Sequence, residues 1–202
     1  MSNYLASLQG KSLEGSVADA ANKSGKSLAR AIADVDVVVL GDNSGSMEVV
    51  DVPWQGGLLV SREEKLVREL AEIYKAHPGK VLLIEFSDRA EIRPSGLFSG
   101  QHAGTSITPA LQMAHDLDDT GVQFIVLSDG LASDGDRAIK IAGSFKTNID
   151  VVYIGPETGS DASEGRSFLR QLAYVSGGRF ATQPEVNVRE NVEMLFLADG
   201  AR

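Results

Sequence analysis

Two carboxylates and three hydroxyls stand out for the chemistry they could do together. Asp42, Ser44 and Ser46 alternate along one short polar stretch, Thr105 lies in a second, and Asp129 lies in a third. With no His or Cys among them, the five form a hard oxygen ligand set. Such a set suits Mg²⁺ or Mn²⁺, with Ca²⁺ as an alternative, rather than zinc. If the turn is extended, the alternation Asp-x-Ser-x-Ser aims the acid and both hydroxyls at one point. Two carboxylates against a divalent ion leave little net charge, so the site would accept one more anionic oxygen, such as an Asp or Glu from a partner protein. Taken singly, Asp, Ser and Thr at such places are ordinary turn and capping residues.

Each polar stretch needs an element to hold it. Residues 35–40, 81–86, 122–127 and 149–154 are short, nearly continuous apolar runs, the pattern of parallel strands buried on both faces. Between them run helical stripes: Leu66, Val67, Leu70, Ile73 and Tyr74; then Ile107, Ala110, Leu111, Ala114 and Leu117 with Pro109 near the start; then Ala138, Ile141, Ala142 and Phe145. Ser61 followed by Glu64 reads as a capping box. Residues 90–93 predict a short antiparallel edge strand. Phe168, Leu169, Leu172 and Val175 predict a helix stopped by Gly177-Gly178, residues 180–182 a short strand, and Val188, Val192, Leu195 and Phe196 a last helix.

The alternation implies an α/β fold: a doubly wound, mostly parallel, Rossmann-like central sheet with helices on both faces. All three polar stretches then fall at the carboxyl edge of the sheet, where open α/β folds bind ligands. In residues 1–33, Val17, Ala20, Ala21, Leu28, Ala31 and Ile32 recur at helical spacing, with Gly25 interrupting. That part predicts an N-terminal helical extension packed on a domain that spans 34–202.

At this point the chain resembles the von Willebrand factor A (vWA) domains with their metal-ion-dependent adhesion site (MIDAS), of the stand-alone prokaryotic type. The resemblance rests on Asp42-Asn43-Ser44-Gly45-Ser46-Met47, on Gly104-Thr105 and on Ser128-Asp129-Gly130, and extends from about residue 35 to residue 180. It implies a metal, magnesium above all, contacted by the hydroxyls of Ser44, Ser46 and Thr105 and held by Asp42 and Asp129 largely through water. It also implies a protein-binding module that works in a larger complex, such as one with a MoxR-type AAA+ ATPase. Ala103 stands where the family often has a glycine, and the stretch 48–60 is longer than the family leads one to expect.

Two further residues near the motifs are candidates for partner contact. Trp54, the single tryptophan, lies in the long 48–60 stretch, and His102 stands three positions before Thr105. Asp134 and Asp136 lack the alternation of a calcium loop and its closing Glu, and one of them, Asp134 or Asp136, is expected to cap the next helix.

Composition narrows the classes. A formal charge of −9 over 202 residues, with no basic cluster, argues against nucleic acid. There are no cysteines, and no run has the length of a membrane span or signal core, so a cytoplasmic protein with no membrane partner is expected. Gly-Lys-Ser occurs at Gly10 and Gly25, but Leu5 and Ala20 replace the leading glycine of a P-loop. A serine hydrolase would need glycines where Asp42 and Ser46 stand. A Mg²⁺-dependent phosphatase or phosphoryl-transfer enzyme is the more serious catalytic alternative, yet no Lys or Arg neighbours Asp42 or Asp129 in sequence apart from Arg137. A structural or attachment domain of a larger particle is the remaining alternative, and the expectation is that the chain is not an enzyme.

Overall fold

The apolar runs form strands, and their period of two shows in which residues meet on each face. A computed structural model describes residues 7–8, 11–53, 58–100, 104–130, 132–156 and 160–182. Strands β1 (Val37–Asp42), β2 (Val50–Pro53), β3 (Leu59–Ser61), β4 (Val81–Phe86), β5 (Ala90–Arg93), β6 (Gln123–Ser128), β7 (Ile149–Tyr153) and β8 (Phe180–Thr182) make two sheets. The main sheet has six strands in the order β5-β4-β1-β6-β7-β8, all parallel except β5, which pairs antiparallel with β4. The other sheet is the antiparallel hairpin β2-β3.

The helices are α1 (Val17–Ser24), α2 (Leu28–Ala33), α3 (Arg62–Ala76), α4 (Thr108–His115), α5 (Gly135–Ala142) and α6 (Ser160–Ser176). Alternate residues of the central strands sort cleanly between two buried clusters. Val37, Val39, Leu83, Ile125 and Leu127 pack with the Leu66, Leu70 and Ile73 stripe of α3. Val38, Leu40, Ile84, Phe124 and Val126 pack with residues of α1, α4, α5 and α6. The sheet is therefore covered on both faces, which is why its strands read as continuous apolar runs.

Capping decides where several helices begin. Ser61 Oγ accepts the Glu64 N–H at 3.0 Å at the head of α3, but the Glu64 carboxylate bonds Arg68, so only half of the expected box closes. Near the N-terminus, Gly25 ends α1 in a left-handed conformation, and Ser27 starts α2 at once. The chain before α1 turns from one face of the sheet towards the other, with Leu13 in the α3 cluster and Val17 and Ala21 in the opposite one. Leu13 N donates to Ser95 O, Ala18 N in the first turn of α1 donates to Pro94 O, and Gly15 O accepts from Gly79 N at 2.8 Å. The expected helix through Val188 and Phe196 lies outside the described residues.

Two glycines separate a welded contact from a free cap. A Cβ on Gly15, at φ +80°, would sit 2.0 Å from the Tyr74 carbonyl oxygen, whereas one on Gly25, at φ +67°, meets nothing within 4 Å. Gly15→Ala is expected to lose at least about 3 kcal/mol in urea unfolding, from backbone strain and overpacking together. Gly25→Ala should lose only the conformational cost, about 1 kcal/mol.

Candidate metal centre

Strand order places the site. The chain leaves β1 for β4 on one side and later returns to β6 on the other, so the ends of β1 and β6 flank the point where the winding reverses. Ligands bind at such points because the following loops diverge there and leave a crevice. Asp42 is the last residue of β1, and Asp129 directly follows β6.

Asp42 has no exposed surface. Its Oδ1 accepts the Ser44 N–H at 2.9 Å, and its Oδ2 accepts the Ser128 hydroxyl at 2.6 Å. Burial, and then the neighbouring Asp129 carboxylate, push its pKa up to about 6 against the pull of the Ser128 and Ser44 hydrogen bonds. The turn beyond it runs as a 3₁₀ segment, Gly45–Glu48, with Ser44 buried and Ser46 exposed. Their hydroxyl oxygens lie 3.0 Å apart. Asn43 is buried underneath, with its Nδ2 facing Glu85 Oε2 and Ser99 Oγ at 3.4 and 3.2 Å.

Thr105 is half-buried in the loop before α4. Ser106 N, the next residue's amide, donates to Ser87 O beyond β4, while Thr105 O accepts from Ser133 N at 2.9 Å and Ser133 Oγ at 2.8 Å beyond β6. Since β1 lies between β4 and β6, this loop spans the end of β1. No hydrogen bond joins the Thr105 hydroxyl to Ser44 or Ser46 among the described contacts. Asp42, Ser44 and Ser46 are joined through hydrogen bonds, and Asp129 lies near enough to raise the Asp42 pKa; Thr105 stands in the loop held between Ser87 and Ser133. Trp54 and His102 lie outside the described residues.

The expected capping by Asp134 is corrected. Asp134 stands at the head of α5, but its side chain makes no bond there. It accepts from Ser106 Oγ at 2.6 Å and from the Ile107 and Thr108 N–H groups at 3.2 and 2.9 Å, and so caps α4. A carboxylate goes to the nearest orphan amides in space, whichever helix they belong to.

A positive charge that no sequence neighbour supplies stands beside Asp129. Arg62, the first residue of α3, reaches Asp129: its Nη1 donates to Asp129 Oδ2 at 2.5 Å. Its Nε and Nη2 donate to Asp51 Oδ1 and Oδ2 at 3.0 and 2.5 Å. Burial opposes the charge on this guanidinium, but the hydrogen bonds to Asp51 and Asp129 outweigh it and hold its pKa above the usual arginine value. Arg62 and Asp129 are 67 residues apart, so no local pattern reveals the pair. The sheet β2-β3, which carries Asp51, is also new; alternating Val50 and Val52 before Gly56-Gly57, and the apolar Leu58-Leu59-Val60 after it, were its sequence signals.

Gly165 is the other supporting residue that periodicity hides. It lies inside α6, where a glycine weakens a helix, and a Cβ there would sit 2.9 Å from Asp129 O and 3.0 Å from Gly130 Cα. Gly130 itself, at φ +117°, has Gly165 Cα 2.4 Å from where its own Cβ would stand.

The donors fit a hard divalent ion. Adjacent oxygens around an octahedral ion with bonds of about 2.1 Å are about 3.0 Å apart, and the Ser44 and Ser46 hydroxyls have that spacing. Among the described residues no three of His, Cys, Asp and Glu converge as a metal cluster.

No family model matches the sequence, and no curated protein matches it. Solved structures do match in shape. The crystal structure of a conserved hypothetical protein, BatB from Bacteroides thetaiotaomicron, superimposes with a TM-score of 0.59 at 18% identity, covering 83% of this chain and 100% of that one. A mutant of the PilB minor pilin from Streptococcus sanguinis gives 0.51 at 13% identity, over 82% of this chain and 60% of that one. The likeness is one of fold. It agrees with the α/β architecture, and no helix among the described residues is long and apolar enough to cross a membrane.

The raised Asp42 carboxyl has a testable sign. The metal-free folded state binds its proton more tightly than the unfolded chain, so stability falls as pH rises from about 4 to about 6 and levels off above. The shift from 3.8 to about 6 corresponds in full to something on the order of 3 kcal/mol. Chemical unfolding of chelator-treated protein should show higher stability at pH 5 than at pH 7.5, by about 1 kcal/mol. Asp42→Asn should abolish that difference. Asp19, Asp34, Asp118 and Asp134, all held below the usual carboxylate range, lose their contributions only as pH falls below about 4.

Proposed function

We propose that this chain is a noncatalytic, divalent-metal-dependent protein-binding module of the von Willebrand factor A type. The hydroxyls of Ser44, Ser46 and Thr105 would hold Mg²⁺ or Mn²⁺, with Asp42 and Asp129 acting through water. An Asp or Glu from a partner protein completes the shell. The observation that carries this reading is the 3.0 Å hydroxyl pair seated over a fully buried carboxylate at the end of β1.

The hydrogen bonding supports a site that keeps an appetite for anions. Both Asp42 oxygens and Asp129 Oδ2 already accept bonds from protein donors. Inner ligands that are neutral hydroxyls leave the ion most of its charge for the open position, and a carboxylate is the hard anion a protein partner can offer.

The same contacts weigh against phosphoryl transfer. Arg62 stands beside Asp129, but its fork is spent on two carboxylates rather than turned to a phosphate. Ser44 Oγ pairs with Ser46 Oγ, and no histidine bonds it among the described residues. A partner within a larger complex, such as a MoxR-type AAA+ ATPase, fits a module of this kind.

Calorimetric titration of chelator-treated protein should show uptake of one Mg²⁺ or Mn²⁺. Asp42→Ala with Ser44→Ala should weaken that uptake at least tenfold. No uptake, or equal uptake by the double variant, would sink the metal site. Capture of the partner should be lost in chelator and restored by Mg²⁺; capture that persists in chelator would make the metal irrelevant to binding.

A further inference from the structure

Arg62 is the charged group beside the site that the metal reading leaves unused. Its side chain is 11% exposed, that of Asp129 6% and that of Asp51 28%. Asp51 alone satisfies the guanidinium with two parallel bonds, through Nε and Nη2. The third donor, Nη1, is then free to extend to Asp129 and does so at 2.5 Å. Neutrality of Arg62 does not require that reach. What it neutralises is the second carboxylate of a site in which Asp42 and Asp129 already repel.

A divalent ion drawing on Asp129 meets a fixed positive charge on the same carboxylate. The two cations would carry like charge and compete for the lone pairs of one carboxylate. Resting on the metal reading above, we propose that Arg62 is a tethered cation that competes with the divalent ion for Asp129, with Asp51 as the counter-ion onto which it falls back. In the metal-free protein Arg62 spares the site a second bare buried carboxylate. When the ion binds, Asp51 keeps the guanidinium paired. Arg62 therefore lowers the affinity of the site for its metal, and Asp51 limits how far it does so.

The two residues give opposite signs, which separates competition from mere support of the site. Mn²⁺ binding to the chelator-treated full chain, read by the free-ion EPR signal, is compared for wild type, Arg62→Gln, Asp51→Asn and the double variant. Gln at 62 keeps a donor for Asp129 but removes the charge. Arg62→Gln is expected to bind at least tenfold tighter than wild type, and Asp51→Asn several-fold weaker, since Arg62 then has Asp129 alone. In the double variant the Asp51→Asn effect should largely vanish, because Asp51 acts through Arg62.

Wild-type binding with equal or weaker binding by Arg62→Gln overturns the inference and leaves the metal site standing. A loss on Asp51→Asn that persists undiminished in the double variant also overturns it. If neither wild type nor Arg62→Gln binds Mn²⁺, the metal reading falls and takes the inference with it. Circular dichroism checks that each variant folds. Should Arg62→Gln fail that check, Asp51→Asn carries the test alone, and equal or tighter binding there overturns the inference.

Discussion

A carboxylate at the end of a fully buried strand has to be satisfied by the protein around it, and Asp42 is held in that way from two sides at once. Ser44 N in the first loop takes one oxygen and the Ser128 hydroxyl at the end of β6 takes the other. Ser128 Oγ in turn accepts from Gly130 N at 3.1 Å, so the corner that presents Asp129 is shaped by the hydroxyl that satisfies Asp42. The parallel register of β1 with β6 brings these groups level, Gly41 beside Leu127. Buried hydrogen bonds of this kind are costly to leave unmade, which makes the two strand ends one unit.

Around that unit the other loops are fastened crosswise. The α4 loop is tied to Ser87 on one side and to Ser133 and Asp134 on the other. The hairpin β2-β3 is tied through Asp51 and Arg62 to Asp129. Neither fastening is a backbone ladder of the main sheet, and each includes a carboxylate that reaches an element distant in sequence, Asp134 for the α4 loop and Asp129 for the hairpin. Such carboxylates act here as connectors between loops.

The fold was legible because burial on both faces writes itself as unbroken Val, Leu and Ile runs, and β4, β5 and β8 begin and end where the pattern places them. The strand ends were legible for the same reason, and with them Asp42, Ser44, Ser46 and Asp129. What local pattern cannot carry is partnership across space. Arg62 sits on α3 at the position where any polar residue would serve a helix start, and nothing nearby announces Asp129 as its partner. Asp134 had the right type and place for capping α5, and the nearer orphan amides of α4 took it instead. The stretch 48–60 looked like a long loop because Pro53 and two glycines dilute a hairpin whose inward pair is only Val52 and Val60.

Where Gly130 meets Gly165, backbone lies on backbone, with a Cβ at either position blocked at 3.0 Å or less. Contacts between side chains give way by rotating a χ angle, but this one has no torsion to turn. The Asp129 corner and the middle of α6 therefore behave as a hard stop. Just past the far end of that helix a second contact of the same kind occurs, where Gly178 lies against the backbone of Ile149 at the start of β7.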